Sequence, residues 1–331
     1  MRPLNTLLLL FAGSTVLAAP PGYHLLKTVP VSGDGGWDYV TVDSAARRVY
    51  VSHGNEVVVL DADSCEVKGK IANLKGVHGI AVAPDLGRGF ISNGQGNNVT
   101  IFELNTLKTI GSVDTGKNPD AIIFDAATKR VFAFNGRSNS VTVIEAKDGK
   151  VAGTVELDGK PESAAADGAG SVYVNLEDKN ALVKIDSRKL MVLEQWPIAP
   201  GQTPVSLSMD TKNHRLFIGC RNKLVVVMNA DTGKVIDKQP IGERVDASDF
   251  DAETKLVFCS NGEGTVTILH QNGPDKYEVA ETLKTQVGSK TMALDPMSHK
   301  LFIPAAKFMQ TAASARPRMQ PGTFSVQVYG K

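Results

Sequence analysis

Asp125-Ala-Ala-Thr-Lys-Arg-Val-Phe-Ala-Phe-Asn-Gly-Arg-Ser-Asn-Ser-Val-Thr-Val-Ile144 is one unit of a pattern that runs through the whole chain. A turn-forming Asp-Ala-Ala-Thr stretch leads into an apolar strand, Val131 to Phe134, and Asn135-Gly136 then reverses the chain into another, Val141 to Ile144. Asn-Gly between two such runs signals a hairpin, because both residues tolerate the left-handed backbone of a tight turn. Ala121 to Phe124 adds a strand before this pair and Val151 to Leu157 one after it, so four short strands alternate with Gly, Asn and Asp turns. Nothing reads as a helix, and period-2 alternation between turns marks antiparallel strands.

The aromatic position of this unit recurs at Tyr50, Phe90, Phe132, Tyr173, Phe217, Phe258 and Phe302, in steps of 40, 42, 41, 44, 41 and 44 residues. Four strands in about 40 residues make the blade of a propeller. The expected fold is therefore all-β, a seven-bladed β-propeller of four-stranded antiparallel blades, formed as one domain by residues 19–331. A ring of blades leaves exposed edges unless its ends are joined. The seventh repeat stops after its third strand, Thr323 to Gly330, whereas His24 to Gly33 matches the fourth strand of the other repeats. Residues 23–32 are expected to complete the last blade.

The unit Lys129-Arg130-Val131-Phe132, Asn135-Gly136 and Asn139 to Ile144 resembles the YVTN-family repeat of YncE-like bacterial β-propellers, over essentially the whole chain after its leader. Gly219-Cys220-Arg221-Asn222 and Pro304-Ala305-Ala306 depart from it. The resemblance implies a propeller and an extracytoplasmic binding or surface role. It assigns no chemistry, since fold is not function.

Arg2, the apolar run Leu7 to Phe11 and the ending Val16-Leu17-Ala18-Ala19-Pro20 form a secretory signal peptide over residues 1–18, with cleavage expected after Ala18. That places the protein in the periplasm or outside the cell. No apolar segment approaches the roughly 20 residues a spanning helix requires, so a soluble protein without a membrane span, a monomer, is expected. Cleavage removes one of 36 basic residues and none of the 35 acidic ones, leaving 35 against 35. A neutral chain argues against a broad nucleic-acid surface. Cys65, Cys220 and Cys259 are odd in number and lack metal or redox spacing; Cys220 with Cys259 is the one disulfide pairing to examine.

Counting from the aromatic anchors places Asp38, His78, Asp120, Glu162, Val205, Asp246 and Lys290 at one position near the start of each inner strand. His53, Asn93, Asn135, Asn175, Cys220, Asn261 and Ala305 fall at the end of each second strand. Two readings stand. In one, Asp38, Asp120, Glu162 and Asp246 gather a divalent cation such as Ca2+ or Mg2+, with Asn135, Asn175 and Asn261 completing its shell, or His53 and His78 approach each other and add a transition-metal or acid–base element. In the other, the Asn and Asp residues are turn formers. Carboxylates crowded around one channel repel unless raised pKa values or a cation offset them. Trp37 stands beside Asp38, ready to stack on a ligand or fill a gap between blades. The long seventh-blade connection, Lys307 to Pro321, brings Arg316 and Arg318 toward the same mouth.

G-x-S-x-G, H-E-x-x-H, Walker and dinucleotide motifs are absent from the sequence. The favoured function is an exported binding protein that takes a small molecule, metal ion or protein partner at the central mouth. The alternative is a lactonase-type hydrolase that uses a cation in the channel. Single-stranded nucleic-acid binding, suggested by the YncE-like resemblance, comes third.

Overall fold

A computed structural model describes residues 21–33, 35–309 and 318–331; residues 1–18, expected to be a signal peptide, and Arg316 lie outside the described residues. Seven four-stranded antiparallel sheets form the propeller, and the one helical element among the described residues is a single 3-10 turn, Pro84–Leu86. No helix among them is long and apolar enough to cross a membrane. The third blade shows the common plan, with Pro119–Asp125 innermost, then Arg130–Asn135, Ser140–Glu145 and Val151–Glu156 outermost.

The core is divided into seven slabs, one between each pair of neighbouring blades. Each anchor aromatic lies in such a slab, and none of Tyr50, Phe90, Phe132, Tyr173, Phe217, Phe258 and Phe302 exceeds 1% exposure. Blades stack on both faces, so their second and third strands are buried on both sides, as in Arg130–Asn135 and Ser140–Glu145. The expected alternation therefore gives way to continuous apolar runs, with exposure concentrated on the outermost strands.

The ring closes as the sequence implied. His24–Pro30 pairs antiparallel with Ser325–Gly330, from His24 opposite Gly330 to Pro30 opposite Ser325. Val29 and Val31 then enter the slab between the last blade and the first. The long seventh-blade connection is narrowed at its base by pairing of Phe308–Met309 with Arg318–Met319. On the opposite face, aspartates at the ends of inner strands hold the turns: Asp125 accepts from the Ala127 N–H (3.2 Å) and the Thr128 hydroxyl (2.7 Å). The three cysteines are buried free thiols, so the Cys220–Cys259 pairing is not made.

All the side chains of His24–Pro30 except Val29 are exposed, so this strand contributes mainly ladder bonds and a covered edge. Its six paired positions, at roughly 1 kcal/mol per net hydrogen bond and about 2–4 °C per kcal/mol, set the scale. A chain starting at Gly35 is expected to melt at least ~10 °C lower and over a broader range by calorimetry. Melting identical to the full chain would show that the closing strand does not hold the ring.

Candidate functional site

The mouth is built by one backbone device repeated around the ring. In six inner strands the ladder register slips just after the first residue, as between Trp37 and Val40, Val77 and Ile80, or Pro119 and Ile122. Each slip inserts one extra residue opposite the second strand, and each contains the position counted from the anchors: Asp38, His78, Asp120, Glu162, Val205 and Asp246. A β-bulge re-aims side chains that a regular strand would send into a neighbouring blade. The freed amides find local partners, Asp38 N–H donating to Ser52 Oγ at 2.9 Å and Gly79 N–H to Ser92 Oγ at 2.8 Å. Lys290 precedes the shorter seventh inner strand, Ala293–Asp295.

The resulting cavity, about 200 Å3, is lined by Asp38, Asp120, Glu162, Asp246 and Lys290 together with Tyr39, Val205, Arg221 and Thr291. Its charge is uneven. Arg221 Nη2 donates to Asp246 Oδ1 at 3.0 Å, and the Lys290 ammonium holds the other Asp246 oxygen. Lys160 lies 3.0 Å from Glu162 Oε2 and also pairs with Glu177. Across the mouth, Asp38 and Asp120 share a single imidazole, with His78 Nδ1 2.6 Å from Asp38 Oδ2 and 3.6 Å from Asp120 Oδ1. One ligand atom from each of these three residues lies within 4.8 Å of the others. Gly94 makes room for this imidazole, since a Cβ there would fall 2.5 Å from His78 Nε2. Nε2 therefore faces the backbone and Nδ1 the two carboxylates.

The electrostatics follow from burial and crowding. Burial, reinforced by the Asp38 and Glu162 charges and opposed by His78 and Lys160, lifts the Asp120 carboxyl to about 7. Burial alone would lower the His78 pKa, but the hydrogen bond to Asp38 and the charges of Asp120, Asp38 and Glu162 outweigh it and hold the imidazole above its usual value. Glu162 and Asp246 are also raised, chiefly by burial, against the pull of Lys160 on the first and of Lys290 and Arg221 on the second.

Several expected members stand elsewhere. His53 is 2% exposed, stacks on Phe324 with centroids 4.0 Å apart, and lies 3.9 Å from Glu56; it belongs to the junction of the last and first blades, and its ring does not join His78 in the three-residue cluster. Trp37 packs at the same junction against Phe324 (5.4 Å) and Phe308 (6.1 Å). The asparagines are buried structural clamps. Asn135 Nδ2 bonds Ser140 Oγ and Thr142 Oγ1, and Asn261 Nδ2 bonds Thr265 Oγ1 and Thr267 Oγ1, each tying a second strand to its third. Asn175 is a misalignment by one residue: Leu176 pairs with Pro161 where Asn135 pairs with Pro119, and Asn175 donates instead to the Ser206 carbonyl at 3.0 Å. All four carboxylates line the mouth, with Glu162 and Asp246 paired to cationic side chains and Asp38 and Asp120 grouped with His78.

Tyr39, Lys160 and Arg221 were missed. Arg221 was visible as a departure from the Asn-Gly pattern; a charged residue in the glycine slot reaches over the mouth. Tyr39 had no signal, since an unbroken strand would turn it away from Asp38.

The chain is similar in structure to a chain of Kuenenia stuttgartiensis hydrazine synthase, with a TM-score of 0.71 at 16% identity, covering 82% of this chain and 94% of that one, a likeness of fold alone. No curated protein matches it. The family model described as a domain of unknown function, DUF5074, matches residues 40–208, just over half of the sequence, and the chain belongs to that family.

Proposed function

We propose that this is an exported, non-catalytic binding propeller whose mouth captures a divalent first-row metal ion, of the Zn2+ or Mn2+ type, through Asp38, His78 Nδ1 and Asp120. The observation that carries this reading is the cluster itself, in which three ligand atoms lie within 4.8 Å while Glu162 and Asp246 already have cationic partners. An imidazole between two carboxylates suits a borderline metal better than Ca2+, which prefers an all-oxygen shell. A cation-dependent hydrolase is the less favoured reading, because Glu162 and Asp246 already have cationic partners. The secretory leader and the YVTN-like repeat support an extracytoplasmic setting.

Titration calorimetry is expected to show one equivalent of Zn2+ or Mn2+ bound, with Ca2+ weaker. His78→Ala and Asp120→Ala should each lose more than about 100-fold in affinity, since a ligand is worth more than the 10–100-fold of an outer-shell partner. Gly94→Ala, which displaces the imidazole, should weaken binding while Asp246→Asn leaves it nearly intact. Unchanged affinity in both His78→Ala and Asp120→Ala, or no binding by the parent protein, overturns the proposal.

The same groups set a pH dependence. Asp120 and His78 both have raised folded pKa values, so their contribution to stability is present at low pH and lost as pH rises through about 7 for Asp120 and through the elevated value of His78. Asp120→Asn removes the buried charge. Its melting temperature should exceed that of the parent by a few degrees at pH 8, with the gap narrowing as pH falls and closing below about pH 4, where Asp120 is protonated in both states. Metal affinity should run the other way, rising from pH 6 to pH 8 as the ligands shed their protons.

A further inference from the structure

Beneath the mouth the axis of the propeller widens again. Tyr39 lines both spaces and reaches across the ring from the first blade to the fourth, its hydroxyl donating to the Glu162 carbonyl at 3.3 Å. Below it lies a chamber of about 280 Å3 that runs along the inner strands to Val42 and Leu294, near the opposite face. Its lining includes the apolar Ile122, Leu207 and Met292, from the third, fifth and seventh blades, and the polar Asp246, Ser248, Asp249 and Thr291, from the sixth and seventh. Ser248 and Thr291 are 8% and 3% exposed and their hydroxyls have no protein partner.

Asp249 is the unusual member. One of its oxygens accepts the Leu294 N–H at 3.0 Å, and no basic side chain forms an ion pair with it among the described residues. It is one of the residues that line the chamber. At the mouth, by contrast, Glu162 and Asp246 have lysine or arginine side chains beside them, and Asp38 and Asp120 share His78. A carboxylate set in a low-dielectric wall is costly while ionised unless a cation meets it. A dication would need several oxygen ligands, whereas Asp249, the one lining carboxylate without an ion pair among the described residues, in a chamber otherwise lined largely by aliphatic side chains, matches a singly charged head with an apolar tail.

We propose that this chamber is a second binding site, one that takes a small primary ammonium ion with a short aliphatic tail, the charge resting against Asp249 and the tail on Ile122, Leu207 and Met292. Tyr39 stands between the chamber and the mouth, and Asp246 and Thr291 line both, whereas Asp38, His78 and Asp120 line the chamber at no point. Burial lifts the Asp249 carboxyl to about 7, so at neutral pH an incoming ammonium displaces a proton from it. The other ionisable groups around Asp249 are the Cys259 thiol, kept neutral by burial, and, on the mouth side, Asp246 with Lys290 and Arg221.

Calorimetric titration of the full chain with n-butylammonium tests this. Binding should strengthen about 4-fold per methylene from methylammonium upward, the factor for burying one CH2 group. Butan-1-ol should bind at least about 10-fold more weakly, lacking the charge. Affinity for butylammonium should rise about 30-fold between pH 5.5 and pH 8, following ionisation of a carboxyl with a pKa near 7. Asp249→Asn, which retains an oxygen for the Leu294 N–H, should fall to the level of butan-1-ol and lose the pH dependence while still binding Zn2+ at the mouth. Ala164→Leu, which fills the chamber and leaves Asp249 in place, should also abolish binding. Failure of butylammonium to bind, equal affinity for butan-1-ol, or undiminished binding by Asp249→Asn overturns the assignment.

Discussion

Everything in this molecule depends on the pairing of His24–Pro30 with Ser325–Gly330. A blade of this kind is apolar on both faces and stable only when stacked between two others. A chain of such blades is complete only if the first meets the last. Joining the two ends of the chain in one sheet gives the seventh slab the same standing as the other six. The anchor aromatics are buried in these slabs, one from every blade. Without closure the axis would not exist, and neither would the mouth or the chamber.

Closure also has an electrostatic consequence that no single blade feels. Asp38, His78, Asp120, Glu162, Asp246 and Lys290 lie one or two repeats apart along the chain, and the ring brings them to one opening. Like charges meeting there raise one another's pKa values, and the fold offsets this unevenly. Arg221, Lys290 and Lys160 attend Asp246 and Glu162, whereas Asp38 and Asp120 have only His78 between them. The uncompensated side is where a metal ion would gain most, and the compensated side keeps the rest of the ring intact without one. At Asp249 the imbalance is carried by a lone carboxyl, deeper along the same axis.

The repeat was readable because stacking requires the same large side chain at the same place in every blade. A period of about 40 residues, the turn residues between strands and the missing fourth strand of the last repeat determined the architecture and the closure, and counting from the anchors located six of the seven mouth positions on bulged strands. That count succeeded because six of the seven inner strands slip register just after their first residue. It failed at Asn175, where the fourth blade differs by one residue, and it had no means of finding Tyr39, whose direction depends on the bulge itself.

The amino-acid sequence by itself therefore determined which residues belong to the ring, since repeat spacing is a property of the chain. Only the tertiary structure decided which of them act on one another. His53 and His78 occupy neighbouring repeats, yet His53 stacks on Phe324 from the far end of the chain while His78 settles between Asp38 and Asp120. Asn135 and Asn261 turn inward to clamp their own hairpins, and Glu162 and Asp246 are taken by lysines and an arginine. Side-chain partnership is set by burial, by bulge geometry and by contacts across hundreds of residues, none of which is written in the local pattern.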